Sequence, residues 1–364
     1  MKPEDEPERI LIVKLSAIGD VVQTLPMAEA LRARFPRAHI SWLVEEAAAD
    51  LLQDHPAIDR VIVSRRQSWL RGIFQPGRFR STAGEIRRFL RHLRGSHYDW
   101  IIDNHGILKS GLLVFLARGR RKIGFRASAG IAEEGNYLFT NERYGALPIE
   151  RHALERYLDL VAHLGVPAEK AALRYAVPEE ARRVAERLLR ENGVMGRPLI
   201  IIHPLAKWES KQWPGEYFTR LADRLGEEGT RVVFSGSPDD RGPVEEIFRQ
   251  SRHPDRMANL CGRTRLRELA GLFSLADLVI TPDTGPMHLA AAVGAPLIAL
   301  FGPTAPWRTG PYGNGHVILR RPLACSPCFR RKCPTRECMN SLTVEEVFEA
   351  AQRRLEEKSQ AIGE

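Results

Sequence analysis

The stretch Ile10-Leu11-Ile12-Val13-Lys14-Leu15-Ser16-Ala17-Ile18-Gly19-Asp20 decides the fold class. Its opening is a mostly apolar run, as expected of a strand buried on both faces of a parallel sheet. A short glycine-containing turn follows, and from about Val21 to Arg34 the residues Leu25, Ala28 and Leu31 recur on one helical face. Outward from this unit the alternation continues, with strands at 39–44, 60–63 and 100–103 and a helix from about His152 to Leu164. The pattern restarts with a helix from Pro178 to Asn192. Strands at 199–202, 231–234, 278–281 and 297–301 then alternate with helices near 215–228, 243–251, 266–275 and 286–293. Alternation of this kind predicts an α/β protein with two doubly wound, Rossmann-like lobes and an interlobe cleft at the carboxyl ends of the strands, where such folds bind ligands. The expected lobes are 8–172 and 178–340, linked near Leu173–Pro178, with a last helix over 343–357 packing back on the N-terminal lobe. The tract Gln67–Gly84 is polar, basic and punctuated by Gly and Pro, and reads as a long loop or mobile flap.

A chain of 364 residues exceeds the ~250–300 at which single cores stop growing, which also favours two domains. Hydrophobic residues make up 43% and charged ones 27%, the balance of a soluble globular protein. Every long apolar run is broken, by Lys109, Asp283 or Pro296, before the ~18–20 residues needed to span a bilayer. The acidic opening runs into the first strand without a basic segment or a small-residue cleavage site, so a cytoplasmic protein, at most peripheral to a membrane, is expected. Charge is uneven. Between Arg60 and Arg126 sixteen Arg and Lys face three acids, a net +13 that leaves −4 for the rest of a +9 chain. Such a segment suggests a local anionic partner: nucleic acid, anionic lipid or phosphorylated saccharide. Arg80, Arg87, Arg88, Arg91 and Arg94 recur at helical spacing and equally suit a solvated helix face.

Three clusters carry candidate chemistry. In the first, the turn before Asp20 aims backbone N–H groups and a helix dipole at a ligand, while Asp20 itself is either a functional carboxylate or a helix N-cap. The second is Thr281-Pro282-Asp283-Thr284-Gly285-Pro286-Met287-His288, strand, turn and helix start. Amides near Thr284 and Gly285 suit a phosphate; the alternative is a capped helix with Asp283 as cap and His288 at the core edge. The third is the loop from His203 to Pro214, where Lys207 or Lys211 offers a point charge to a diphosphate or is simply solvated. Neither G-x-G-x-x-G nor G-x4-G-K-[ST] occurs, against a nicotinamide dehydrogenase or P-loop enzyme. No D-x-D pair is present to hold a divalent ion on a nucleotide diphosphate, which favours neutralisation by lysine, helix dipole and amides.

Taken in order, these stretches resemble glycosyltransferase family 9, the lipopolysaccharide heptosyltransferases, over nearly the whole chain. The matching residues are Ile12-Val13-Lys14 through Asp20 with Thr24-Leu25-Pro26, Val44-Glu45-Glu46, Asp103 through Ser110, Lys211-Gln212-Trp213-Pro214, Pro282 through Gly285 with His288, Phe301-Gly302-Pro303-Thr304 and the terminal Cys/Met motif. The resemblance implies a GT-B fold, with an ADP-L-glycero-D-manno-heptose donor in the C-terminal lobe and an anionic, lipid-linked inner-core acceptor in the N-terminal lobe. It casts Asp20 as general base and Lys211 as the lysine near the donor phosphates. Asp283, Thr284, Gly285 and His288 fall to the donor loop, Asp240 to the ribose and Thr264 to adenine; Lys109, Arg120 and Arg121, from the basic segment, are expected at the acceptor. The expected reaction inverts the anomeric centre, needs no cofactor or metal and involves no nucleic acid; its setting is the cytoplasmic face of a Gram-negative inner membrane. The chain departs from the first-heptose type at Ala206 and Lys207, where that type carries two threonines. Its N-terminal lobe resembles transferases adding the first heptose to Kdo, and its cysteine-rich tail those adding later heptoses.

That tail is Cys325-x2-Cys328-x4-Cys333-x4-Cys338, with Cys261 elsewhere. Its four thiols can satisfy a structural tetrahedral Zn²⁺; free buried thiols or local cross-links are preferred, because the gaps after Cys328 and Cys333 are tight. Rival functions are a family member with another nucleotide sugar or acceptor, and a polyanion-binding module without catalysis.

Overall fold

A computed structural model describes residues 6–127, 134–168, 172–196 and 198–363, divided into two compact units, 1–172 and 173–364. The first unit runs β1 (Arg9–Val13), α1 (Ile18–Arg34), β2 (His39–Glu45), α2 (Glu46–Ala49), β3 (Arg60–Ser64), α3 (Arg66–Ile73), α4 (Phe79–Arg94), β4 (His97–Asp103), α5 (Leu108–Leu116), β5 (Arg118–Phe125), β6 (Glu142–Tyr144) and α6 (Ala153–Ala162). The second runs α7 (Glu179–Glu191), β7 (Leu199–Ile202), α8 (Gly215–Glu227), β8 (Arg231–Phe234), α9 (Arg241–Arg249), β9 (Met257–Asn259), α10 (Leu266–Leu275), β10 (Leu278–Pro282), α11 (Gly285–Ala292), β11 (Leu297–Phe301), α12 (Pro306–Thr309), β12 (Val317–Arg320), α13 (Glu337–Asn340) and α14 (Val344–Gly363).

Each unit is built on a six-stranded parallel sheet, ordered β3-β2-β1-β4-β5-β6 in the first and β12-β11-β10-β7-β8-β9 in the second. Counted within each unit, both orders are 3-2-1-4-5-6, the doubly wound arrangement the sequence predicts. The apolar runs lie where burial on both sheet faces demands them: Ile10 to Val13 and all of β7 and β11 are inaccessible or nearly so. The order reverses between β1 and β4 in one sheet and between β7 and β10 in the other. There the loops leaving the strands diverge, and a crevice is left at their carboxyl ends.

Three expectations change. The tract read as a flap forms α3 and α4, because Ile86, Phe89, Leu90 and Leu93 give α4 an apolar stripe at helical spacing, with Phe89 and Leu93 buried and Trp69 of α3 packed on Phe89. The Pro76-Gly77 pair marks only the turn between them. Helix α1 begins at Ile18, three residues before the expected start, which places Asp20 inside its first turn. Strands β5, β6, β9 and β12 add to those the sequence predicts; β5 hides behind its arginines and β6 and β9 are three residues long. The terminal helix is built into the C-terminal core, where Val344, Val347, Phe348 and Ala351 join Trp213 and Phe218, and it packs on α8.

Glycine 271 sets the approach of α10 to α7: a Cβ there would lie 2.6 Å from the Ala181 carbonyl oxygen. Since that neighbour is backbone, Gly271→Val forces the helices apart and should cost about 1–3 kcal/mol, read by chemical denaturation.

Candidate active site

At the first switch point the chain leaving β1 places Lys14, Ser16 and Asp20, and the chain leaving β4 places Asn104, His105 and Lys109. Asp20 is the third residue of α1, and its two oxygens have different tasks. Oδ2 accepts the Ala17 backbone N–H at 3.0 Å, closing the helix start. Oδ1 accepts the Tyr157 hydroxyl, sent in from α6, at 2.8 Å and lies 3.9 Å from Lys14 Nζ. The ammonium of Lys14 also donates to the Asn104 carbonyl at 3.0 Å and sits 3.9 Å from the centre of the Tyr157 ring. Lys14 is 3% exposed whereas the Asp20 side chain is 41% exposed, so the carboxylate is presented and the ammonium lies beneath it. Desolvation by the surrounding protein would raise the Asp20 carboxyl, but Lys14, Tyr157 and the Ala17 N–H together hold it below the ordinary carboxylate value. Burial pushes Lys14 down to about 8, against the pull of Asp20 and Asp103.

Asp103 shapes the β4 loop. Wholly buried, it accepts the N–H groups of His105 and Gly106 on Oδ1 and the side chains of Ser110 and Asn136 on Oδ2; burial nevertheless leaves its pKa raised. The ordered loop delivers Lys109, whose Nζ meets Ser16 Oγ at 3.0 Å and Glu45 Oε1 at 3.3 Å. His105 is kept neutral, its pKa pushed down to about 3 by burial and by the cations of Lys14 and Lys109. Both its ring nitrogens, and Arg156 Nε on α6, are buried without a hydrogen-bond partner among the described residues.

The second switch point is organised by an ion pair. Lys211 Nζ, from the loop after β7, lies 2.7 Å from Asp283 Oδ2, at the end of β10, and Thr304 Oγ1 donates to the same oxygen at 2.6 Å. Trp213 anchors that loop: its indole donates to the Leu342 carbonyl at 2.9 Å and packs edge-on against Phe218. Lys211 is further backed by the Trp208 ring, 4.5 Å from Nζ. The N-cap of α11 is Thr284 rather than Asp283, so the cap reading of Asp283 fails and its carboxylate serves the lysine. Gly285 opens the helix, Pro286 follows without an N–H, and His288 is buried one turn in. Asp240 accepts the N–H and hydroxyl of Ser237 at the end of β8, and Thr264 lies in the loop between β9 and α10. Thus every residue assigned to the donor from sequence falls at or beyond the carboxyl end of one parallel sheet, and Lys211, Asp283 and Thr304 are in direct contact.

Arg120 and Arg121 do not join Asp20 and Lys109. They lie inside β5, Arg121 opposite Trp100, three residues or roughly 10 Å before the Asp103 end of β4. Arg121 is committed to Glu142 through two hydrogen bonds of 2.7 and 2.6 Å and stacks on Trp100; Arg120 alone of the pair is exposed. Sequence reading missed Lys14, Tyr157, His105 and Arg156 as members of the Asp20 cluster. Lys14 carried a usable signal, a charged residue closing an apolar strand; Tyr157 and Arg156 are brought in only by tertiary packing of α6.

The cysteine tail buttresses the Lys211 loop. Ser210 donates its N–H to the Arg331 carbonyl at 3.3 Å and its hydroxyl to that of Arg330 at 2.6 Å, while the amides of Cys328 and Phe329 bond Pro303, next to Thr304. No group of three or more His, Cys, Asp or Glu side chains among the described residues is arranged to hold a metal ion. Burial pushes Cys261 up to about 11 and raises Cys338, the latter also disfavoured as a thiolate by its three neighbouring cysteines. Hydrogen bonds from the Arg336 and Thr335 region lower half-buried Cys333. In the native protein at neutral pH, Cys333 should therefore alkylate ahead of Cys261 and Cys338 by at least about tenfold in rate, read by peptide mass spectrometry.

With this geometry in place, the likeness to known proteins is specific. The family described as Glycosyltransferase family 9 (heptosyltransferase) matches residues 86–339. Lipopolysaccharide heptosyltransferase 1 of Pseudomonas aeruginosa is 34% identical over 341 residues, covering 90% of this chain and 89% of that protein. Lipopolysaccharide heptosyltransferase 2 of Salmonella typhimurium is 29% identical, covering 86% and 88%. Among solved structures, Escherichia coli heptosyltransferase WaaC with ADP superposes with a TM-score of 0.76 at 27% identity, covering 95% of this chain and 99% of WaaC. The two units are the two halves of a GT-B enzyme, and the chain belongs to glycosyltransferase family 9, the heptosyltransferases.

Proposed function

We propose that this transferase moves L-glycero-D-manno-heptose from ADP-heptose to the Kdo/heptose inner core of lipopolysaccharide, with inversion and without a catalytic metal, at the cytoplasmic face of a Gram-negative inner membrane. The observation that carries the reading is whole-length likeness to lipopolysaccharide heptosyltransferases combined with an intact Lys211–Asp283 pair in the half that, in a GT-B enzyme, takes the nucleotide sugar. Heptosyltransferase WaaC has been solved with ADP and with ADP-2-deoxy-2-fluoro heptose, which supports the donor class.

In this mechanism the ionised, partly exposed Asp20 takes the proton of the acceptor hydroxyl as that oxygen attacks the anomeric carbon. The glycosidic C–O bond to the diphosphate breaks as the new one forms, and ADP leaves. Lys211 and the amides of Thr284 and Gly285 hold the charge that develops on the leaving phosphate. Asp240 and Thr264 are the proposed nucleoside contacts. Lys109, with neutral His105 and the unpartnered Nε of Arg156, is the proposed acceptor contact. The functional test is incubation of the purified protein with ADP-heptose and a panel of truncated lipopolysaccharide acceptors, read by mass spectrometry, with other nucleotide sugars in parallel. No heptosyl product on any acceptor would end the assignment.

Three variants probe the roles. Asp20→Asn keeps an acceptor for the Ala17 N–H and lets the Tyr157 hydroxyl turn to accept, so stability should change by less than about 2 kcal/mol while kcat falls on the order of 10²-fold or more. Lys211→Ala should weaken ADP at least about tenfold by calorimetry. Lys14→Met removes the cation that lowers the Asp20 carboxyl, so Asp20 should titrate at higher pH and the acid limb of kcat/KM should move up. A limb that stays in place would separate Asp20 from the rate.

A further inference from the structure

The N-terminal unit carries a surface that none of this chemistry uses. Helices α3 and α4 form a groove of about 660 Å³ whose floor is Ile73, Phe79, Ala83, Ile86 and Leu90. Its rim is Arg87, Arg91, Arg94 and Arg118. Large apolar side chains of this helix pair stand in solvent: Phe79, which lines the groove, is 60% exposed, Leu70 of α3 48%, and Phe74, at the end of α3, 83%. Helix α5, which packs against α4, adds Leu108, Leu112 and Phe115, each more than half exposed. Scattered apolar residues at a surface are ordinary, but aromatic and aliphatic side chains concentrated on three adjoining helices are a contact surface.

The charge on this surface says what it contacts. Helix α4 carries Arg80, Arg87, Arg88, Arg91 and Arg94 against one acid, Glu85, whose carboxylate already accepts the Trp69 indole at 3.1 Å. None of Arg87, Arg88, Arg91 and Arg94 has a carboxylate partner among the described residues, although ion pairs at helical spacing are common on α7. Arginines without a carboxylate partner, sharing a groove with Phe79 on the helix pair that also exposes Phe74, match an anionic bilayer: rings enter the acyl boundary while guanidinium groups meet lipid phosphates. No helix among the described residues is long and apolar enough to cross a membrane, so the contact would be one of lying on it. Lys109 lies next to Leu108 at the N-terminal end of α5, so the helix that carries these exposed side chains also carries the proposed acceptor contact.

We propose that the α3–α4–α5 face docks the enzyme on an anionic phospholipid bilayer, seating Phe74 and Phe79 in the interface and Arg87, Arg91, Arg94 and Arg118 on lipid phosphates, and so brings the Lys109 end of α5 to a membrane-borne acceptor. This rests on the proposed acceptor class for its purpose, but binding to lipid is measured without any substrate. The full chain is sedimented with vesicles of phosphatidylcholine alone or of phosphatidylcholine mixed with phosphatidylglycerol, at low and high salt. It should pellet with the anionic vesicles only, and less at high salt. Two double variants, Phe74→Ser with Phe79→Ser and Arg87→Glu with Arg91→Glu, alter exposed side chains; each should cut the bound fraction about tenfold while kcat/KM on a deacylated, water-soluble acceptor stays within about twofold. Failure of the parent protein to bind anionic vesicles, or binding by both double variants at the parent level, overturns the docking face. A rise in KM for the deacylated acceptor in the arginine variant also overturns it and makes the groove part of the acceptor site. Vesicle binding without heptosyl transfer would instead leave the docking face standing and remove the proposed reaction.

Discussion

The ion pair of Lys211 and Asp283 is the constraint around which the C-terminal half is arranged. Asp283 is 5% exposed, and an ammonium at 2.7 Å and the Thr304 hydroxyl at 2.6 Å take the place of the water its side chain loses on burial. Each partner is fixed by something else. Trp213 ties the lysine loop to the core, Ser210 ties it to the carbonyls of Arg330 and Arg331, and Thr304 lies just past β11 beside Pro303, whose carbonyl receives the amides of Cys328 and Phe329. The cysteine-rich tail is thus part of the support of both charges. Under the proposed donor role, Lys211 already has a carboxylate, so a diphosphate would share the ammonium rather than claim it, which would temper ground-state binding and leave attraction to grow as the leaving group gains charge.

The two switch points use the same pair of residue types with the exposure inverted. In the N-terminal half the lysine is buried, 3% exposed, beneath an aspartate that is 41% exposed; in the C-terminal half the aspartate is buried and the lysine is the more open, at 15%. One crevice therefore offers a carboxylate and the other a cation. That difference is set by which member stands on the strand and which on the helix or loop. Lys14 directly follows β1 and runs under α6, whereas Asp283 directly follows β10 and Lys211 arrives on a loop. A repeated topology is thereby given two opposite chemistries without any change of fold.

Those residues were legible in sequence to the extent that they stand at strand ends. Asp20, Lys109, Lys211 and the Asp283–Gly285 turn each follow an apolar run, and strand–turn–helix units in a parallel sheet put such positions at the ligand-binding edge whatever the detailed packing. What sequence hid was of two kinds. Tyr157, Arg156 and the pairing of Lys211 with Asp283 depend on contacts between segments 72 to 137 residues apart, which periodicity does not encode. Strand β5 was hidden by composition, since Arg118-Gly119-Arg120-Arg121-Lys122 lacks an apolar alternation and its charges drew it into a basic patch, when Arg121 in fact closes on Glu142 of the neighbouring strand. Likewise the Pro-Gly punctuation near residue 76 was real, but it marks one turn between two helices.

The electrostatics of Asp20 decide how the proposed chemistry divides between the halves. A carboxyl held below its ordinary value is ionised at any physiological pH, so as the proposed base Asp20 would always be ready, yet it would be a weak base toward a sugar hydroxyl. Proton transfer to it is uphill until bond formation at the anomeric carbon has acidified the attacking oxygen, and it must therefore be late. A late proton transfer cannot start the reaction, so departure of the diphosphate has to run ahead and generate an electron-poor sugar that the nearly neutral hydroxyl can attack. The demand then falls on the leaving-group side, on Lys211 and the amides opening α11. Raising the basicity of Asp20 by removing the Lys14 cation would shift that balance only in part, because the Tyr157 hydroxyl and the Ala17 N–H continue to stabilise the anion.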